Sequence, residues 1–187
     1  MSKGFIPPHG GYKNLLSYQK AEIVFDATVH FCNRFIDRRS RTHDQMVQAA
    51  RSGKQNIIEG SMASGTSKES ELKLINVARA SLEELLADYR DFLRLRGFHE
   101  WTKDHPYTNR LRELNRIRGA TYATFRKGIE HADPAISANV IIGLIRVASH
   151  LLHKQLRQLE QAFLQEGGMR ERMTRARLNE RAKPKRH

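Results

Sequence analysis

The stretch TSKESELKLINVARASLEELLADYRDFLRLRG, Thr66 to Gly97, decides the fold. Its apolar residues Leu74, Ala78, Leu82, Leu85, Tyr89, Phe92 and Leu93 follow the spacing of one face of an α-helix, and no period-two alternation competes with it. Thr66-Ser67-Lys68-Glu69 reads as a capping box, in which a hydroxyl and a carboxylate satisfy end amides reciprocally, and Gly97 reads as the stop. At 1.5 Å per residue such a helix is about 43 Å long. Leu72, Ile75, Leu86 and Leu95 lie off the main stripe, so its apolar surface is wider than one bundle seam requires. The excess predicts self-association or a second set of neighbours within the same chain.

Upstream, Val24, Ala27, Thr28, Phe31 and Phe35 place a helix over about 15–39, closed by Arg38-Arg39-Ser40-Arg41. Thr42-His43-Asp44-Gln45 reads as a second capping box, opening a helix that runs to about Glu59 and stops at Gly60. Residues 1–13, with Pro7-Pro8 and Gly10-Gly11, read as an extended arm. Downstream, residues 98–133 form an insert: a loop with Trp101 and Pro106, then a helix holding Leu111, Leu114, Ile117, Tyr122, Phe125 and Ile129, weakened by Gly119 and Gly128. Asp133-Pro134 opens the last long helix, an N-cap followed by proline where a missing N–H costs nothing. It runs to about Glu166 and ends at Gly167-Gly168. The expected architecture is all-α: an antiparallel four-helix bundle over 14–168, interrupted by the insert, with a basic tail over 169–187 that is disordered or ordered only on a partner.

Charge frames the function. Thirty-three Lys and Arg against twenty Asp and Glu leave a formal +13, which favours anionic partners and non-specific nucleic-acid binding. Nearly half of that excess sits in the tail, where Arg170, Arg172, Arg175, Arg177, Arg181, Lys183, Lys185 and Arg186 face only Glu171 and Glu180. Two further clusters offer guanidinium forks to phosphate oxygens: Arg34, Arg38, Arg39 and Arg41 with only Asp37 nearby in sequence, and Arg110, Arg112, Arg116 and Arg118 beside Tyr107, Tyr122 and Phe125. A solvated helix end would look the same as the first cluster, since cations near a helix C-terminus are stabilised by its dipole; in the second, aromatic residues at helical spacing are more often core than stacking platforms, which leaves the arginines as the better candidates.

The one cysteine, Cys32, falls on an apolar helix face, which allows no disulfide within one chain and fits a reducing cytoplasm. The longest apolar run, Val140 to Ile145, is far shorter than the roughly 20 residues of a membrane span. Catalytic chemistry finds no foothold: His150 and His153 are spaced i, i+3 but no Glu-x-x-His accompanies them, and His99, Asp104 and His105 carry acid–base types without an orienting partner. No metal, cofactor or catalytic residue is therefore assigned. Ser52, Asn56 and Glu59, with Arg51 adjoining, share a helix face and are expected to form an interhelical polar network, whereas Lys54 is expected to be solvated.

Three motifs together resemble a known family: Gln48-Ala49-Ala50-Arg51-Ser52, Asn56-Ile57-Ile58-Glu59-Gly60, and Ala78-Arg79-Ala80-Ser81-Leu82-Glu83-Glu84-Leu85. They are similar to the four-helix bundle proteins encoded in 23S ribosomal RNA intervening sequences and to the accessory variability protein of diversity-generating retroelements. The likeness spans about residues 12–97 and 134–166, and Gly167-Gly168-Met169-Arg170-Glu171-Arg172-Met173 resembles the branch that carries a suffix domain. The resemblance implies a small, basic bundle that assembles into a homopentamer, with nucleic acid or a reverse transcriptase as partner in the retroelement branch; the suffix-domain branch brings no assigned activity. The insert and the tail depart from the compact family pattern. The rival expectation is a protein–protein scaffold for an acidic partner.

Overall fold

The computed structural model describes residues 9–182, and every regular element among them is helical. In chain order they are α1 (Leu16–Phe35), α2 (Arg41–Ala63), α3 (Lys68–Leu95), α4 (Pro106–Arg116), α5 (Tyr122–Ile129), α6 (Pro134–Glu166) and α7 (Met169–Arg181), preceded by one 3-10 turn, Tyr12–Asn14. α2 packs on α1 and α3, while α6 packs on α3 and α1, so the four long helices share one core and the shorter α4 and α5 lie against α6. The expected arm is partly docked: the Gly10 amide donates to the Ser61 carbonyl at 3.1 Å, and Tyr12 meets Tyr18 edge to face.

The core is apolar and close-packed. Phe31, with no exposed surface, lies against Phe35, Tyr89 and Phe92 with ring centroids 4.8–5.2 Å apart. The buried Tyr89 hydroxyl donates to Thr28 Oγ1 at 3.2 Å, so the one polar atom of that ring is satisfied. Cys32 is buried beside it, and desolvation, with the charge of Asp88 second, pushes its thiol up to about 12, which leaves it chemically inert at neutral pH.

Several boundaries differ from expectation, each for a local reason. α1 ends at Phe35 because Ile36 turns extended, which puts Arg38 and Arg39 in a loop. Ser40, not Thr42, caps α2, its Oγ accepting from the Thr42 amide; likewise Ser67, not Thr66, caps α3 by accepting from the Ser70 amide. Gly60 does not stop α2, which continues to Ala63. A Cβ at Gly60 would stand 3.2 Å from Ile75 Cδ1, and one at Gly53 would stand 2.7 Å from Leu82 Cδ2, so both glycines serve the close approach of α2 and α3. The single insert helix is two, divided where Gly119 takes a φ of 72°. In the tail, expected to be disordered or ordered only on a partner, Met169–Arg181 forms the helix α7, consistent with the high helix propensity of Arg, Glu, Met, Ala and Leu. Lys183, Lys185 and Arg186 lie outside the described residues.

The wide apolar surface of α3 is largely consumed within the chain. Ile75 and Leu86 are buried and Leu72 half-buried, leaving Leu95 at 71 % exposure. α6 is long and apolar enough over Pro134–Gln165 to cross a membrane by length and composition, but 61 % of the 18-residue apolar stretch within it is buried inside the protein. Its apolar face is core.

Candidate nucleic-acid interface

α4 and α6 form the two walls of the largest basic hollow described. α4 carries few apolar residues and buries only Leu111, which seats against Gly143 of α6 where any Cβ would collide with its Cδ2. The loop before α4 is fastened separately. Buried Asn139 accepts from the Trp101 amide at 2.7 Å and donates to the His99 carbonyl at 3.0 Å and to Ala135 of its own helix at 2.9 Å. Asn139→Ala leaves two backbone groups unpaired and is expected to destabilise the protein by about 2 kcal/mol. Amide hydrogen exchange should accelerate at residues 99–101 and along α4 while the Phe31 neighbourhood stays protected.

These two attachments set helices with complementary polar patterns side by side. On α4, Arg112 and Arg116 are spaced i, i+4; on α6, Arg146, His150 and Lys154 repeat the same interval, so each helix presents a polar stripe to one side. Together with Lys103 from the loop they line a groove of about 1370 Å³ whose only carboxylate, among the described residues, is Glu100. That carboxylate is engaged, by Arg146 on one oxygen and by Arg90 on the other at 3.1 Å. Arg112 donates to Asn109 at 2.9 Å, a neutral partner that leaves its charge uncompensated. Lys103, Arg112, Arg116 and Lys154 are all exposed. Asn115 Oδ1, in the groove wall, is buried without a hydrogen-bond partner in the protein. Fixed cations along a concave wall with low-dielectric flanks concentrate field on a polyanion.

The other sequence-selected residues are distributed unevenly. Arg110 faces the opposite side of α4 and pairs with Glu113 at 2.8 Å, and Arg118 is exposed in the turn after α4. Arg34 is structural: it donates to the Glu130 carbonyl at 3.0 Å, tying α1 to the end of α5, and lies over Phe35. Arg38, Arg39 and Arg41 are exposed; near them Asp37, Asp88 and Asp91 share a hollow with Arg96, and Asp91 pairs with Arg94 at 2.8 Å. On α7, Arg170, Arg175, Arg177 and Arg181 are exposed, and Arg170, Arg177 and Arg181 share a face by their spacing; Arg170 also reaches the electrostatic neighbourhood of Glu69. Arg172 lies within α7.

Of the polar quartet on α2, Ser52 and Asn56 come together and reach across to α3. Ser52 Oγ is 2.9 Å from Ser81 Oγ, and Asn56 donates to Ser52 Oγ at 3.1 Å and to its carbonyl at 2.9 Å. Arg51 and Glu59 are exposed and outside those contacts. Lys54 departs from a solvated reading: half-buried, it holds its ammonium 4.1 Å from the centre of the Phe25 ring.

Arg146, Lys154 and Lys103 were not singled out by sequence, and His150 was weighed only with His153 as a metal-binding pair. The interval of four was visible in α6, but nothing local shows that α4 lies across it. His150 and His153 are both exposed, and among the described residues no three His, Cys, Asp or Glu side chains are grouped to hold a metal ion. Comparison with protein-family models, with curated proteins and with solved structures gives no match.

Proposed function

We propose that this protein is a non-enzymatic, cytoplasmic four-helix bundle that assembles with copies of itself and binds nucleic acid through phosphate contacts. The observation that carries the binding half is the α4/α6 groove, where four exposed cations, Lys103, Arg112, Arg116 and Lys154, stand beside a carboxylate already occupied by two arginines. Phosphate contacts fix position and carry no base information, so shape decides preference. The pairing of α1 with α2, α2 with α3, α3 with α6 and α6 with α1 supports the bundle reading. The likeness to intervening-sequence and retroelement accessory proteins supports the pentamer and a reverse transcriptase or other ribonucleoprotein partner. Met62 and Val77, exposed on α2 and α3, give an assembly apolar surface to cover. Light scattering should report five times 21.6 kDa; a particle of one chain's mass at micromolar concentration contradicts assembly.

Truncation after Gly168 tests where binding resides. The shortened protein keeps α1 to α6 and should still bind RNA hairpins of unrelated sequence, with weaker affinity and a flatter salt dependence. The flattening should be about 0.9 for each duplex phosphate the tail no longer neutralises, or about 0.7 for single strands. Loss of all binding on truncation would move the interface from the groove to the tail. An intact protein that binds neither RNA nor DNA at low salt, but captures an acidic protein, would replace nucleic acid by a protein partner.

A further inference from the structure

On the other side of α4 from the cationic groove lies a second hollow of different chemistry. It encloses about 430 Å³, within the range of small-ligand sites, and its walls are apolar and aromatic: Trp101, Tyr107, Leu114, Phe125, Ile136 and Val140. Its charged lining is Lys127 and Arg110, the latter paired with Glu113 at 2.8 Å, with no carboxylate lining it among the described residues; His131 is also there, its Nδ1 accepting from the Asp133 amide at 3.0 Å. Trp101 and Leu111 line both hollows, so the two meet at α4, and Trp101 stands just before that helix begins.

The aromatic residues there are arranged as a platform. The Trp101 indole is stacked on the His105 ring at 4.8 Å with 5° between planes, and Tyr107 leans on it at 5.2 Å. The Asn139 bond to the Trp101 amide holds the platform at its base. Tyr107 is 54 % exposed, so its ring is open to a further stacking partner, whereas Phe125 is buried and Tyr122 is half-buried with its hydroxyl donating to Glu130 at 3.1 Å. Of the three aromatics flanking the α4 arginines in sequence, Tyr107 is the exposed one and so the one most open to stacking.

An apolar, aromatic-walled cavity lined by Arg110 and Lys127 and by no carboxylate among the described residues, adjoining a cationic groove, matches a planar body carrying phosphates. We propose that this cavity receives one unpaired base of a single-stranded nucleic acid, stacked against Tyr107 and Trp101, while the flanking phosphates run past Lys127 and into the α4/α6 groove. The inference rests on the nucleic-acid reading of that groove and adds that a base, not the backbone alone, is held. Base–aromatic stacking is tolerant of sequence, so the site selects single strands over duplexes without selecting bases.

Trp101 is the chain's one tryptophan and reports directly. A short oligouridylate, an abasic oligomer of the same length and an RNA duplex are titrated into the whole protein at low salt. The oligouridylate should quench Trp101 emission and bind about tenfold more tightly than the abasic strand, and the duplex should leave emission unchanged. Tyr107→Ala should remove that tenfold advantage without altering abasic binding, and Tyr107→Phe should restore it. Equal binding of base-bearing and abasic strands with no change in Trp101 emission overturns the base pocket and leaves the phosphate groove standing. Failure of all three probes to bind overturns both.

Discussion

Replacing Lys103, Arg112, Arg116 and Lys154 together by Gln is expected to weaken nucleic-acid binding about a hundredfold, roughly 2.7 kcal/mol, while the protein stays folded. That figure asks less than 1 kcal/mol of each exposed cation, the scale such contacts support in water. The substitutions leave the Arg146–Glu100–Arg90 cluster intact, so the groove keeps its shape and gives up only its uncompensated charge. Gln keeps most of the helix propensity of Lys and Arg, and all four side chains are exposed, so thermal stability should move by no more than about 0.5 kcal/mol. The salt dependence should flatten as well, by about 0.9 per cation for duplexes. Matched Gln replacements at Arg38, Arg39 and Arg41 serve as the control. They remove nearly as much formal charge from an exposed corner outside the groove, and should cost much less affinity. Equal losses from the two sets would mean that net charge, not the groove, governs binding.

Phe31→Ala should destabilise the protein by about 3–5 kcal/mol, the range for deleting a fully buried aromatic ring. Phe31 touches three aromatic neighbours, contributed by α1 itself and by α3, so its removal opens a cavity between two of the four long helices. Because domains are stable by only about 5–15 kcal/mol, a loss of this size approaches the whole margin. Leu95→Ala, at 71 % exposure on α3, should by contrast change stability by about 0.5 kcal/mol or less. Chemical denaturation of the two variants measures both. A small effect at Phe31 would show that the α1/α3 aromatic cluster is not the packed centre described.

Much of the helical order was legible because periodicity and capping chemistry are local. The stripe from Leu74 to Leu93 lies almost wholly in the core, and Asp133 caps α6 by accepting from the Ala135 amide at 2.8 Å, as the Asp-Pro pair implied. What failed locally was the choice among adjacent cap candidates: Ser40 against Thr42 and Ser67 against Thr66 differ by one or two residues of the same chemistry. Gly60 misled for a different reason. A glycine that ends a helix and one that lets a neighbouring helix approach look alike in sequence, and only Ile75 across the interface distinguishes them.

The groove was half legible. Arg112 and Arg116 were identifiable from composition, but their partners on α6 depend on a crossing fixed by Leu111 in the Gly143 notch and by Asn139 reaching back to the loop, contacts between residues far apart in the chain. Charge counting also could not tell a free arginine from a used one. Arg34 ties two helices together, Arg110 has Glu113, and neither fact follows from local composition.

The most direct test of phosphate binding by this protein is a titration of the unmodified chain with duplex and single-stranded oligonucleotides of unrelated sequence over a range of salt concentrations. With the four exposed cations of the groove engaged, the logarithm of the affinity should fall linearly with the logarithm of salt, with a slope of at least about −3.6 for duplex and about −2.8 for single strands, and should be indifferent to base sequence within each form. No binding at low salt, or an affinity that salt does not alter, would contradict it.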